Sequence, residues 1–163
     1  MTVLYIIRHA VAEERDRERW PDDGQRPLTE KGTARFRKMM KRLAKRGVAP
    51  TLIASSPLLR CRQTAEIVQE EIAAQAEVIL RDELAPGSDL DGILARSAQH
   101  LGDLAWVGHA PDVGELAAGL MSGDGATALH FSKGAVAAIE FDGPPRPAAG
   151  RLLWLVPPKL LAE

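Results

Sequence analysis

Cysteine is nearly absent from this chain: of 163 residues, only Cys61 is one. That excludes an internal disulfide framework and fits a reducing compartment. Surplus charge is lacking too, since 21 basic and 22 acidic residues leave a formal net charge of -1. Such a balance predicts no general affinity for nucleic acid or for an anionic membrane. Long hydrophobic runs are also missing. The apolar run at residues 3–7 is too short for a signal peptide or a membrane span and has no basic leader, so the expected location is cytoplasmic. No internal repeat or low-complexity tract is visible. The length suits one domain over residues 1–163, large enough to bury a core without staples.

What is present is an alternation of short strands and amphipathic helices. Residues 3–7 are β-branched, aromatic or aliphatic with apolar groups on both faces, which predicts a central strand covered by helices on either side. Residues 51–54, 77–80 and 104–108 predict three more strands, and 135–141 and 151–156 predict two late ones split by Gly143-Pro144-Pro145. A helix capped by Thr29 turns Phe36, Met39, Met40, Leu43 and Ala44 inward and stops at Gly47. A second, from about Leu58, turns Cys61, Thr64, Ala65, Val68 and Ile72 inward. A third, capped by Ser88 or Asp89, carries Leu90, Ile93, Leu94 and Leu101 on one face. Pro111 opens a fourth, with Val113, Leu116, Ala117, Leu120 and Met121 inward and a polar bend at residues 123–125 after it. The expected fold is α/β, a three-layer sandwich with a mostly parallel central sheet flanked by helices.

Parallel strands would bring their carboxyl ends to one edge, where ligands of open α/β sheets collect. Four strands are each followed within a few residues by a group suited to phosphate chemistry: Arg8-His9, Arg60, Glu83 and His109. Two arginines can fork around the oxygens of a phosphoryl group. One histidine can attack phosphorus, a second can donate to the same oxygens, and a carboxyl can protonate the leaving group. The set is complete for metal-free phosphoryl transfer and calls for no cofactor. Arg60 and Arg62 in the first turn of the second helix oppose its dipole, whereas a bound anion would use it. Residues 11–27 carry charges of both signs without hydrophobic period and leave directly from His9, so they belong at the mouth of such a site. Asp82 and Glu83 point opposite ways on an extended segment, and Glu83 is favoured as the one that enters.

The remaining titratable groups have plainer readings. Cys61 faces inward and reads as a small core residue. His100 is a surface histidine at a helix C-terminus, and His130 has no evident partner. The outward face of the first helix carries Arg35, Arg37, Lys38, Lys41, Arg42, Lys45 and Arg46 without an acid. It is either a solvated face or a dock for an acidic or phosphorylated protein partner.

Arg8-His9-Ala10, Leu28-Thr29-Glu30-Lys31-Gly32, Ser55-Ser56-Pro57-Leu58-Leu59-Arg60 with Gln63-Thr64-Ala65, and Gly108-His109 come in an order that resembles the histidine phosphatase (phosphoglycerate mutase-like) superfamily. The resemblance is to its short bacterial phosphohistidine phosphatase branch, of the SixA type. It implies that His9 is the phosphorylated nucleophile, that Arg8, Arg60 and His109 surround the phosphate, and that Glu83 stands where many relatives carry a proton donor. Ala10 stands where the family more commonly has glycine, a change that matters only if the position needs a positive φ. The long insertions with which mutases enclose phosphoglycerate are absent, so the implied substrate is a phosphorylated protein or peptide.

Other readings make different demands. A metal site at His9 and His109 would place a dication beside two arginines. A phospho-ligand binding module would need the arginines but not both histidines. A phosphomonoesterase for a small phosphorylated metabolite would need a proton donor for its alkoxide leaving group.

Overall fold

The computed structural model describes residues 1–124 and 129–162. Its centre is a six-stranded sheet in the order β3-β2-β4-β1-β5-β6. β1 (Thr2–Arg8) lies in the middle, between β4 (Leu104–Gly108) and β5 (Val136–Phe141). β2 (Leu52–Ser55) and β3 (Glu77–Leu80) complete a parallel block with β1 and β4. β5 runs antiparallel to β1, and β6 (Arg151–Val156) pairs antiparallel with β5. The sheet is therefore mostly parallel, with β5 alone running against the other strands.

Alternation along the strands builds two apolar layers. Tyr5 and Ile7 of β1, Ala105 and Val107 of β4, and Val136 and Ala138 of β5 point to one side. There they meet α1 (Glu30–Ala44), α2 (Leu59–Ile72) and α5 (Pro158–Leu161). Leu4, Ile6, Trp106, Ala137 and Ile139 point to the other side, onto α3 (Leu90–Ser97) and α4 (Asp112–Ser122). A strand buried on both faces at period two needs apolar residues at every position, which is what residues 3–7 supply.

The helix ends follow local chemistry. Thr29 caps α1 by accepting from the Gly32 amide, and Asp89 caps α3 by accepting from the Gly92 amide. α4 begins at Asp112, so Pro111 occupies its cap rather than its first turn. Leu101 does not join the apolar face of α3: the helix stops at Ser97 and Leu101 is 90 % exposed. Ala44, Ile72 and Met121 are half-buried rather than core. Of the bend at 123–125, Gly125 lies outside the described residues.

The first turn of α1 is jammed against the segment that leaves β1. Thr29 N–H donates to the Val11 carbonyl at 3.0 Å, and a Cβ on Gly32 would lie 2.4 Å from that same oxygen. Glycine is required there for space rather than for backbone angle. Because the obstacle is main chain, Gly32→Ala is expected to destabilise the fold by about 1–3 kcal/mol. Urea unfolding of the variant measures it, and a midpoint equal to wild type would show that the helix shifts at no cost.

Candidate active site

The parallel pairing of β1 with β4 puts Arg8 opposite Gly108, and the His9 amide donates to the Gly108 carbonyl at 3.0 Å. His9 and His109 therefore leave adjacent strands side by side. Their rings tilt 59° to each other with centroids 5.5 Å apart. Both are buried, 6 % and 5 % exposed.

His9 Nδ1 lies 2.7 Å from the Ala10 carbonyl oxygen. A carbonyl can only accept, so Nδ1 carries the proton and Nε2 keeps its lone pair. The Ala10 amide in turn donates to Thr64 Oγ1, whose hydroxyl donates to the Arg60 carbonyl. This chain ties the turn after β1 to the first turns of α2. Ala10 is not among the residues with positive φ, so the glycine of relatives is replaced here without strain.

His109 Nε2 lies 2.8 Å from Ser56 Oγ and 3.4 Å from Cys61 Sγ. Cys61 is fully buried, and burial pushes its thiol up to about 12, so it stays a protonated core group. Burial is also the main cause that lowers His9 to about 3 and His109 to about 4, with the nearby Arg60 and Arg8 adding to it. Both imidazoles are neutral at pH 7.

Arg60 sits in the first turn of α2, 5 % exposed. One terminal nitrogen donates to the Asp23 carbonyl at 3.0 Å, and the other lies 3.3 Å from the Asp23 carboxylate. Arg8 donates from one terminal nitrogen to the Phe131 carbonyl at 2.8 Å. In both arginines Nε is buried and without a partner. Two guanidiniums with an unpaired donor each, beside two neutral imidazoles, make an incomplete anion cradle.

Glu83 is positioned differently. Residues Asp82–Leu84 form a short 3-10 helix rather than an extended segment, so opposite-facing neighbours do not arise there. Asp82 is exposed. Glu83 pairs with Arg96 of α3 at 3.0 Å. A backbone N–H and that guanidinium hold its carboxyl below the usual carboxylate range. The structure thus brings Arg8, His9, Arg60 and His109 together and gives Glu83 a separate salt-bridge partner.

Three contributors carry no signal of their own in the sequence. Asp23 is one acid among many in a mixed-charge stretch, yet its short 3-10 helix, Asp23–Gln25, delivers it to Arg60. Ser56 lies in a matched motif but only its contact with His109 reveals a task. Phe131 acts through its main-chain oxygen, which no side-chain pattern encodes. Among the described residues, no group of three or more His, Cys, Asp or Glu is placed to hold a metal ion.

Neutral buried imidazoles set a sign for acid stability. Their folded pKa values, about 3 and about 4, lie below the ordinary 6.5, so the unfolded chain binds more protons as pH falls below that value. Their contribution is constant above about pH 6.5 and is lost progressively toward pH 3. Thermal unfolding at pH 7 and pH 5 should show a larger acid-induced fall in Tm for wild type than for His109→Asn. Equal falls would overturn the neutral-imidazole assignment.

Comparison with known proteins bears on the family and the fold. Residues 4–105 match the histidine phosphatase superfamily (branch 1). An uncharacterized protein of Picosynechococcus sp. is 38 % identical over 138 residues, covering 82 % of this chain and 81 % of its own length. The structure of the protein histidine phosphatase SixA complexed with tungstate superposes with a TM-score of 0.83 at 27 % identity, covering 98 % of this chain and 99 % of that one. A candidate phosphohistidine phosphatase SixA from Agrobacterium tumefaciens gives a TM-score of 0.76 at 25 % identity, with 95 % and 97 % coverage. The chain belongs to the histidine phosphatase superfamily, in its SixA-like branch.

Proposed function

We propose that this protein hydrolyses phosphohistidine on a protein through a phosphorylated His9. The observation that carries the reading is the pair of buried, unpartnered guanidinium Nε atoms beside a histidine whose Nε2 lone pair is held free. His9 Nε2 attacks the phosphorus in line, forming one P–N bond as the P–N bond to the substrate imidazole breaks. The departing imidazole leaves neutral once its nitrogen is protonated. Arg8, Arg60 and His109 hold the equatorial oxygens as charge spreads over them. Water then attacks phospho-His9, releasing inorganic phosphate and restoring the free imidazole.

The state of Glu83 favours this substrate class over an alkyl phosphate. A phosphoramidate needs little help from an enzymic acid, whereas an alkoxide leaving group depends on one. Glu83, ion-paired to Arg96 and held ionised, is poorly prepared to donate. We assign it a role at the rim of the site, where the small capacity for proton donation left to it matters only for ester substrates, whose leaving groups need a proton. The tungstate carried by the SixA structure is a tetrahedral oxyanion, which suits the same cradle.

A panel comparing a phosphohistidine peptide with sugar phosphates and phosphoglycerates tests the reading, with mass spectrometry of the trapped intermediate locating the modified residue. Fast turnover of the phosphohistidine peptide and acid-labile phosphate on His9 are expected. Preferred turnover of a sugar phosphate would overturn the substrate assignment. His9→Ala should abolish both turnover and labelling, and Arg60→Ala should cost on the order of 3 kcal/mol in kcat/KM. Glu83→Gln should slow ester hydrolysis much more than phosphohistidine hydrolysis, and equal losses would overturn its assignment.

A further inference from the structure

The basic face of α1 divides into two halves with different partners. Its inner half is already satisfied: Arg37 pairs with Glu70 at 2.6 Å and Glu71 at 2.9 Å of α2, Lys41 reaches Glu71, and Arg42 donates to the Leu161 carbonyl. The acids missing from α1 itself are supplied by the neighbouring helix, so this half is an intramolecular seam rather than a dock.

The other half lines open hollows. Lys31, Arg35 and Lys38 follow one another at i, i+4 and i+7, a stripe about 10 Å long at 1.5 Å per residue. Three adjacent hollows share this stripe. One of about 620 Å³ is lined by Lys31, Ala34, Arg35, Lys38 and Ala162. A neck of about 10 Å³ is lined by Arg35 and Lys133 together with Ala10 and Val11, the residues that follow His9. A third of about 460 Å³ is lined by Val11, Arg35, Lys133 and Lys159 among others, and Ser132 at its wall keeps a buried hydroxyl oxygen without a partner. No acid of the described residues lines any of the three. Lys31, Lys38, Lys133 and Lys159 are exposed.

From this we infer that the groove running from Val11 past Lys133 and Lys159 and along Lys31, Arg35 and Lys38 is the docking surface for an acidic segment of the phosphorylated protein substrate. The inference deepens the function proposed above and rests on it for the identity of the substrate. Two features select this occupant. Among the described residues the lining supplies cations and no acid, gathered in a concave track on a chain whose net charge is only -1. The track begins at the residues that leave the nucleophile, so a segment lying in it brings a neighbouring phosphohistidine to the buried His9. A flat anionic bilayer could touch the lysines but would not enter the track.

Two synthetic phosphohistidine peptides test it, one continued by a run of Asp and Glu and the other by Ser and Asn. At low salt the acidic peptide is expected to show a KM about tenfold lower at equal kcat, in keeping with electrostatic steering. In Lys31→Glu/Lys38→Glu/Lys159→Glu that preference should shrink to less than about twofold, while kcat/KM for p-nitrophenyl phosphate stays unchanged. The milder triple glutamine variant should lie between. Anisotropy of the unphosphorylated acidic peptide reads the surface without turnover: lysine-dependent binding supports the dock even where phosphohistidine hydrolysis fails, and so separates the two readings. Equal KM values for the two peptides, or a preference untouched by the triple reversal, overturn the inference. Lysine-dependent binding to phosphatidylglycerol vesicles but not to the acidic peptide overturns it in favour of a membrane surface.

Discussion

Everything at the site depends on the parallel contact between β1 and β4. One backbone hydrogen bond, from the His9 amide to the Gly108 carbonyl, lies at the junction where both strands end. It fixes two imidazoles within ring-contact distance although a hundred residues separate them in sequence. Parallel pairing is needed for this, because an antiparallel partner would send its carboxyl end to the opposite edge. β5, the antiparallel neighbour on the other side of β1, contributes differently. The loop that enters it brings the Phe131 carbonyl to Arg8, and the Gly134 amide donates to the carbonyls of Arg8 and His9. The reversal thus encloses the site from the side that no parallel strand end reaches.

Concentrating two guanidiniums and two imidazoles in one buried place is costly for the free protein. The structure lowers that cost in three ways. The imidazoles remain neutral, Asp23 lends a carboxylate and a carbonyl to Arg60, and Phe131 lends a carbonyl to Arg8. What remains unsatisfied, the two Nε donors, is the part an oxyanion would complete. Perturbed groups of this kind gather at functional sites because the fold tolerates there what it avoids elsewhere.

Much of this was legible in the linear chain. An unbroken apolar run, with apolar groups on both faces, identifies β1 as central, and helical spacing identifies the inward faces of α1, α2 and α4. The gathering of Arg8, His9, Arg60 and His109 at one edge of the sheet follows once the strands are taken as parallel. Illegible were the features that depend on distant surfaces meeting. The lone Leu101 has the right spacing for α3 but follows the end of the helix at Ser97, because spacing says nothing of where a helix stops without a cap signal. Glu83 sits close in sequence to a strand end, yet its environment is set by Arg96 on the next helix. The unbroken basic face of α1 reads as unpaired only until Glu70 and Glu71 arrive from α2.

The proton on His9 Nδ1 is held by a main-chain oxygen rather than by a carboxylate. Any amino acid at position 10 supplies that oxygen, so drift in side-chain identity cannot flip the imidazole to its other tautomer. The orientation of the nucleophile is inherited with the backbone path itself, leaving evolution free to alter the rim, and with it the choice of substrate, while the reactive nitrogen stays as it is.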